Sequence, residues 1–152
     1  DAALEAIEKA IAAAPSDSLM RARFGRILGH VGRADEGIAQ VRQAMRMSPD
    51  SLPLLYFLGA NLRVSGKFDE AIEALLEHRK RLGGRILPAP TTQLVAAYFQ
   101  AGRKDEARAE AQKILSGTRD YTVGRAQRSA VYKNAEDRHI FASALRSAGI
   151  PD

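Results

Sequence analysis

The sequence predicts an all-α fold made of tandem helical hairpins, and three observations indicate it. A pattern of glycine, a basic residue, a variable residue, Asp and Glu occurs three times, starting at Gly32, Gly66 and Gly102. The intervals between these glycines are 34 and 36 residues, close to the length of one helix-turn-helix unit. Apolar residues recur at helical spacing, so each helix has one face to bury. Stacked hairpins bury such faces against each other.

The N-terminal segment, residues 1–15, is predicted to form one helix. Leu4, Ile7 and Ile11 have the spacing that places them on one face of it. The chain is expected to begin in mid-helix at Asp1 and to be a piece of a longer protein, because it starts with neither Met nor a secretory leader.

Three complete hairpins are predicted next, over residues 18–49, 52–84 and 88–117. In each hairpin the glycine of the repeated pattern ends the first helix, because glycine adopts the left-handed backbone common at helix C-termini. The Asp-Glu pair then begins the second helix, where negative charge is favourable. Gly25 and Gly59 lack a side chain where two helices are expected to approach closely.

The connection between the second and third hairpins is predicted to be longer than the others. The interval with two extra residues falls there, and Gly83-Gly84 and Pro88-Ala89-Pro90 are both expected to break helices. We therefore expect a looser joint at this point of the stack.

Two capping helices are predicted over residues 121–152. Their apolar residues have helical spacing: Val123, Ala126, Ala130 and Val131 in the first, and Ile140, Phe141, Ala144, Leu145 and Ala148 in the second. Gly149 and Pro151 are expected to end the last helix. Such a cap would cover the apolar face of the last hairpin, as repeat arrays require.

The composition is that of a single folded domain spanning residues 1–152. The chain has no cysteine, which excludes disulfides, thiolate metal sites and cysteine nucleophiles and fits a reducing compartment, so we expect a cytoplasmic protein. No apolar run approaches the roughly 18 residues of a membrane-spanning helix. The net charge of +5 favours acidic partners.

The hairpins resemble the tetratricopeptide repeat (TPR) family, whose unit has small and large residues at fixed places. The first helices carry Phe24-Gly25 with Leu28, Leu58-Gly59 with Leu62, and Leu94-Val95 with Tyr98; the small residues of the second helices are Gly37, Ala71 and Ala107; and Ala3, Ile7, Ala10 and Pro15 occupy second-helix places at the N-terminus. The resemblance implies that residues 1–15 are the second helix of a truncated unit. It also implies a right-handed superhelical stack, an α-solenoid, that binds another protein or peptide.

The C-terminal tail is similar to the closing stretch of TPR regions in bacterial class III adenylate/guanylate cyclase-like proteins. The similar residues are Asn134–Asp137 and Leu145–Asp152. The resemblance implies a regulatory or interaction region tethered to a cyclase or similar signalling output. The catalytic residues of such a cyclase would lie upstream, and none can be assigned here.

Enzymatic chemistry has little support, and we expect no catalytic residue, cofactor or metal. The Asp-Glu pairs recur at the same point of every hairpin, so helix N-terminal charge explains them better than a single active site does. His30, His78 and His139 are far apart and form no His-x-x-x-His ligand pair. No Gly-x-Ser-x-Gly elbow and no phosphate-binding glycine loop with lysine is present.

The predicted partner-binding residues lie on the first helices, because the resemblance implies that these helices line the concave surface of the stack. They are Arg26, His30, Tyr56, Arg63, Phe99 and Gln100. Two arginines and two aromatic residues suit an extended or helical protein segment bearing carboxylates, and such side chains are common anchors of interfaces.

Three alternatives stay open at this point. A clamp for a C-terminal carboxylate, known from other TPR domains, needs Lys and Asn where this chain has Ala22, Arg26, Phe57 and Gln93. Nucleic-acid binding by the basic surface is not expected to be strong, because stacking aromatics are not interleaved with the charges. Homo-oligomerisation could follow from an open apolar edge at residues 3–15.

Overall fold

The computed structural model of the chain describes residues 2–152, without the side chain of Ala3. The expectations for Asp1 and for the side chain of Ala3 lie outside this described part. Within it the fold is all-α, and no strand is present. The helices are α1 (Ala2–Ala13), α2 (Ser18–His30), α3 (Ala34–Met47), α4 (Leu52–Val64), α5 (Phe68–Arg81), α6 (Pro88–Gln100), α7 (Lys104–Gly117), α8 (Val123–Ser129) and α9 (Ala135–Ser147).

Helices α2 to α7 form three antiparallel hairpins, in which α2 packs on α3, α4 on α5, and α6 on α7. The first helices also contact each other along the stack, α2 with α4 and α4 with α6, whereas α3 and α5 touch marginally at most. The side of α2, α4 and α6 that faces away from α3, α5 and α7 is called the inner face below. The predicted helical-repeat fold is confirmed.

The turns inside the three hairpins share one backbone conformation. Gly32, Gly66 and Gly102 have φ values of 86°, 79° and 78°. In each turn the amide of the following basic residue donates a hydrogen bond of 2.8 or 2.9 Å to a carbonyl five residues earlier, as for Arg33 and Leu28. This arrangement is a Schellman-type helix end, which requires a left-handed residue at the glycine position. The repeated bends confirm the internal repeat.

The Asp-Glu pairs lie in the first turns of α3, α5 and α7, as predicted. In two hairpins the basic residue before the helix also pairs with the glutamate, Arg33 with Glu36 and Arg103 with Glu106. In the remaining hairpin Lys67 instead reaches back to Asp35 of the preceding unit, at 3.4 Å. These pairs are exposed, so each contributes little to stability.

Close helix approaches occur where the sequence placed small residues. A side chain at Gly25 would meet the carbonyl oxygen of Gly37 at 2.7 Å, and one at Gly59 would meet Leu75 at 2.6 Å. The structure adds a contact that the sequence did not predict. Asn61 of α4 is 2% exposed and its Nδ2 donates to the Gly25 carbonyl at 2.9 Å, so this amide links α4 to α2.

The longer connection predicted between the second and third hairpins is confirmed, because six residues separate α5 from α6 whereas four separate α3 from α4. That the joint is also looser stays a prediction. Gly83 and Gly84 do end α5, with φ values of 68° and 82°, but Pro88 and Pro90 lie in the first turn of α6 instead of breaking it. Proline is tolerated there because the first helical amides have no intrahelical acceptor. Arg79 of α5 donates to both carboxylate oxygens of Glu110 in α7, which ties the two hairpins together across the joint.

The C-terminal region packs back onto the stack instead of extending it. Both α8 and α9 contact α6, and they contact each other. Thr122 and Asn134 cap the two helices by accepting hydrogen bonds from backbone amides of their first turns. The prediction that Val131 faces the core is wrong, because it lies after the end of α8 and its side chain is 61% exposed. Among the described helices, none is long and apolar enough to cross a bilayer.

Candidate functional site

The candidate site is the inner face together with the connecting segment, residues 130–134, that joins α8 to α9. This segment is non-helical and lies across the C-terminal ends of the first helices. Tyr132 is its buried anchor, with 2% of its surface exposed. The amide of Lys133 donates a 2.7 Å hydrogen bond to the carbonyl of His30, the last residue of α2.

Arg63 binds Tyr132 and two glutamines at the centre of this site. Its Nη2 donates to the Tyr132 hydroxyl at 2.7 Å, its Nε to Gln93 Oε1 at 2.8 Å, and its Nη1 to Gln100 Oε1 at 2.7 Å. The guanidinium also lies 5.4 Å and 5.3 Å from the ring centroids of Tyr132 and Phe141, where cations are attracted to aromatic faces.

The expectation that Arg63 is exposed to a partner is therefore wrong. Its surface is 2% exposed, because the connecting segment and α9 cover the end of α4 where it lies. Gln100, predicted as a separate contact, is one of its acceptors. Sequence spacing placed both residues on the first helices but could not show that the chain covers this part of them.

His30 forms one wall of the Tyr132 site. Its ring packs edge-on against that of Tyr132, with centroids 5.3 Å apart and an interplanar angle of 80°. Burial, and secondarily the positive charge of Arg26, lowers the pKa of His30 from 6.5 to about 4. The imidazole is therefore neutral at physiological pH where it packs against the Tyr132 ring.

Arg26 and Tyr56 form a second cluster further along the inner face. Arg26 Nη2 donates to the Tyr56 hydroxyl at 2.7 Å, and its guanidinium lies 4.4 Å from the Tyr56 ring centroid and 5.5 Å from that of Phe57. Burial raises the pKa of Tyr56 against the opposing charge of Arg26. Arg26 Nη1 has no hydrogen-bond partner among the described residues. All three side chains are half-buried.

Phe99 does not join either cluster. It is half-buried at the end of α6, packs against the main core, and lies 5.9 Å from the ammonium of Lys104. The structure thus brings His30, Arg63 and Gln100 together around Tyr132, places Arg26 with Tyr56, and leaves Phe99 apart. Whether a partner touches these residues stays a prediction.

Two clefts flank the connecting segment. One, of about 440 Å³, is bounded by the turn after α2, the end of α4, and Asn134 and Asp137. The other, of about 370 Å³, lies between α1 and the turn after α2 and has Lys133 on its wall. Burial raises the pKa of Asp137, although the nearby charge of Arg63 opposes this shift. The segment is therefore bordered by open space on both sides.

Four consecutive basic residues, 78–81, form the last turn of α5, but they do not present one basic patch. His78 is 6% exposed, and Arg79 is held in the ion pair with Glu110, in which the two side chains are 14% and 7% exposed. Of the residues considered for a carboxylate clamp, Ala22 and Gln93 are fully buried. Among residues 2–152, no group of three His, Cys, Asp or Glu could hold a metal ion.

Three residues of the site were missed by sequence reasoning. Tyr132 lies between helices, where helical spacing gives no signal, and Gln93 has the same polar character as a solvated residue. Phe57 is next to the predicted Tyr56, but the sequence did not show that the Arg26 guanidinium lies beside both rings. An aromatic residue in a short polar connection was the available signal for Tyr132.

Stacked hairpins with a side-chain-lined inner face define the class of the chain: it has a TPR-type helical-repeat fold. Chains of solved structures share this fold, among them MamA, a TPR-containing protein, known from its crystal structure. That structure superimposes with a TM-score of 0.65 over 96% of this chain and 84% of MamA, at 20% sequence identity, so the likeness concerns the fold. No protein-family model and no curated protein sequence matches the chain.

Proposed function

We propose that the chain is a non-enzymatic protein-interaction and regulatory module that binds a non-helical segment of a partner protein on its inner face. The observation that carries this proposal is that the inner face already holds such a segment. Residues 130–134 of the same chain lie on it through the buried Tyr132 side chain and the Lys133 amide. The surface therefore has both the side-chain pocket and the backbone acceptor that peptide recognition uses.

The part of the inner face that the connecting segment leaves uncovered favours a partner with acidic character. The guanidinium of Arg26 lies beside the rings of Tyr56 and Phe57 and donates to the Tyr56 hydroxyl, so it is already ordered before binding. Its Nη1 is buried without a described acceptor, so a partner carboxylate, the strongest acceptor for such a donor, would have to displace the groups that cover it. An Arg beside two aromatic rings is also a typical energetic anchor.

The wider context of the module is proposed from the sequence. The similarity of Asn134–Asp137 and Leu145–Asp152 to cyclase-like proteins supports a place in a cytoplasmic, bacterial signalling protein. We propose one domain with a half unit, three units and a cap, divided as in the sequence analysis. Nucleic-acid binding and self-association stay alternative predictions without a contact in the structure that favours them.

Selection from a displayed peptide library tests the proposal. The affinity of each selected peptide is measured for the parent chain and for two charge-reversal variants. Arg26→Glu lies on the inner face, and Arg46→Glu lies on the exposed side of α3. We expect Arg26→Glu to weaken binding at least about tenfold, which corresponds to about 1.4 kcal/mol. The matched Arg46→Glu variant should stay within about twofold.

Two results would overturn the proposal. One is a selection that yields no binder to the folded chain. The other is a set of binders whose affinity depends on Arg46 as much as on Arg26, because these peptides would then bind by charge alone. Circular dichroism spectra of both variants must match that of the parent chain, so that lost binding cannot come from lost folding.

A further inference from the structure

The connecting segment has one large buried side chain, that of Tyr132. Of residues 130–134, Ala130 and Tyr132 are buried, and the three others are exposed. Hydrogen bonds from this segment to the first helices, among the residues described, are those of the Tyr132 hydroxyl and the Lys133 amide. Arg138 of α9 donates to the carbonyls of Tyr132 and Lys133, but these bonds are internal to the C-terminal region.

The pocket around the Tyr132 hydroxyl matches the chemistry of a phenol. The hydroxyl accepts from Arg63 Nη2 at 2.7 Å and donates to Gln93 Oε1 at 3.1 Å. Arg63 Nε also donates to this Gln93 oxygen, and this bond fixes the side-chain amide with its oxygen toward the pocket. An occupant must therefore accept from arginine and donate to glutamine with the same atom.

This requirement distinguishes tyrosine from other side chains of similar reach. A carboxylate could accept from Arg63 but would place an oxygen without a proton against Gln93 Oε1. Phenylalanine could fill the space beside His30 and Phe141 but would leave Arg63 Nη2 without an acceptor in a buried site, which is costly. Serine and threonine carry the right hydroxyl on side chains too short to fill the aromatic part.

The surroundings leave room for a chain to enter and leave the pocket. The His30 carbonyl at the end of α2 accepts the backbone amide that follows the tyrosine, and open clefts lie on both sides of the segment. A segment from another protein could thus use the same backbone acceptor and continue along either cleft. A competing segment would have to replace the contacts of the Tyr132 side chain and the hydrogen bond of the Lys133 amide.

We propose that this tyrosine pocket anchors the partner, and that Tyr132 is an internal occupant which a tyrosine of the partner replaces. The inference rests on the proposed function and gives it a partner chemistry: a non-helical segment with a tyrosine. It also gives the module a built-in threshold, because the partner must compete with a tyrosine that is tethered beside the pocket.

Binding in trans tests this directly. The full chain carrying Tyr132→Ala is titrated into a fluorescently labelled synthetic peptide with the sequence of residues 128–136, and anisotropy is measured. We expect saturable binding that is at least about tenfold tighter than with the unsubstituted chain, whose pocket is occupied. A peptide with phenylalanine in place of the tyrosine should bind at least about tenfold more weakly. Equal binding of both peptides, or of both chains, would overturn the proposal.

A second measurement avoids dependence on the folding of the Tyr132→Ala variant. The unsubstituted chain, labelled with nitrogen-15, is titrated with the same unlabelled peptide at millimolar concentration, and the Gln93 side-chain amide and the Lys133 backbone amide are followed by nuclear magnetic resonance. Replacement of Tyr132 should shift both signals saturably, and the phenylalanine peptide should shift them less. If both signals stay unchanged at the highest peptide concentration that remains in solution, the peptide does not replace Tyr132.

The two proposals fail in different ways. If selected peptides depend on Arg26 but contain no tyrosine and leave the Lys133 amide signal unchanged, inner-face binding stands and the tyrosine pocket falls. If the library yields no binder but the tyrosine peptide binds the Tyr132→Ala chain, the pocket stands and the proposed partner recognition falls.

Discussion

The hydroxyl of Tyr132 lies 2.7 Å from Nη2 of Arg63, although the two residues are 69 positions apart in the sequence. This contact connects the C-terminal region to the middle hairpin of the stack. It offsets part of the cost of burying a guanidinium by supplying an acceptor for Nη2. It also fills the part of the inner face where the sequence predicted a partner, so folding and recognition depend on the same atoms.

Loss of the Tyr132 hydroxyl should destabilise the chain measurably. Tyr132→Phe leaves a buried donor of Arg63 without an acceptor, which costs roughly 1–3 kcal/mol of unfolding free energy. Tyr98→Phe is the matched control, because Tyr98 is also buried but its hydroxyl has no hydrogen bond among the described residues. Urea denaturation of both variants measures the difference. Equal stability of Tyr132→Phe and the parent chain would show that the hydroxyl does not satisfy Arg63.

Stability should fall as the pH decreases from 6.5 toward 4. Burial, followed by the charge of Arg26, lowers the pKa of His30 to about 4, so the unfolded chain takes up a proton first. The contribution of the neutral imidazole is complete above pH 6.5 and is lost progressively below it, by up to about 3 kcal/mol. Burial lowers the pKa of His78 in the same direction.

Variants separate the two histidines. His30→Gln and His78→Gln should each flatten the decrease in unfolding free energy between pH 6.5 and 5, and their combination should remove most of it. His139→Gln, at an exposed position, should leave the decrease intact. Denaturation at a series of pH values measures this. A decrease that persists unchanged in the His30→Gln chain would show that the imidazole is not buried as described.

The ion pair between Arg79 and Glu110 should stabilise the joint between the second and third hairpins. Burial acts to raise the pKa of Glu110, but hydrogen bonds from Arg79 and Lys113 outweigh it and lower the pKa. Glu110→Gln should therefore cost roughly 1.5–3 kcal/mol at neutral pH. A carboxyl group whose pKa is lowered in the folded chain stabilises that chain at pH values above the pKa of the unfolded state. The cost of Glu110→Gln should therefore shrink as the pH falls below about 4.5. The exposed Glu106→Gln control should cost under about 1 kcal/mol. Matching losses in both variants would contradict a buried pair.

Asn61 and Gly29 should be energetically coupled. A side chain at Gly29 would overlap the amide of Asn61, so Gly29→Ala should cost roughly 1–3 kcal/mol by overpacking. Asn61→Ala vacates that space, and the double variant should lose less than the sum of the single losses. Gly117→Ala, where a new Cβ meets nothing within 4 Å, serves as the control and should be neutral or slightly stabilising. If the two single losses of unfolding free energy add up to the loss in the double variant, the Asn61 side chain does not contact Gly29.

Local features of the fold could be predicted from the sequence, because each hairpin has its own signals. The glycine turns at Gly32, Gly66 and Gly102 and the Asp-Glu starts depend on neighbouring residues only. The positions of Pro88 and Arg79 could not be judged in the same way, because proline is tolerated in a first turn and the partner of Arg79 lies in another hairpin.

The sequence predicted which helices carry the candidate site residues but not the contacts among those residues. Periodicity placed Arg26, Arg63 and Gln100 on the first helices. It gave no information on the path of residues 130–134, which have no helical period, and so it could not show that Tyr132 buries Arg63. Long-range contacts of this kind depend on where the chain returns, which a local pattern does not contain.

Hydrogen exchange at the Lys133 amide tests the central claim most directly, because this amide donates to the His30 carbonyl only while the connecting segment lies on the inner face. We predict that it is protected relative to an unstructured peptide, but opens at a free energy well below that of the amides within α6, through a local opening of residues 130–134. Exchange as fast as in an unstructured peptide would show that the segment does not occupy the face. Exchange only through global unfolding would show that it cannot be replaced.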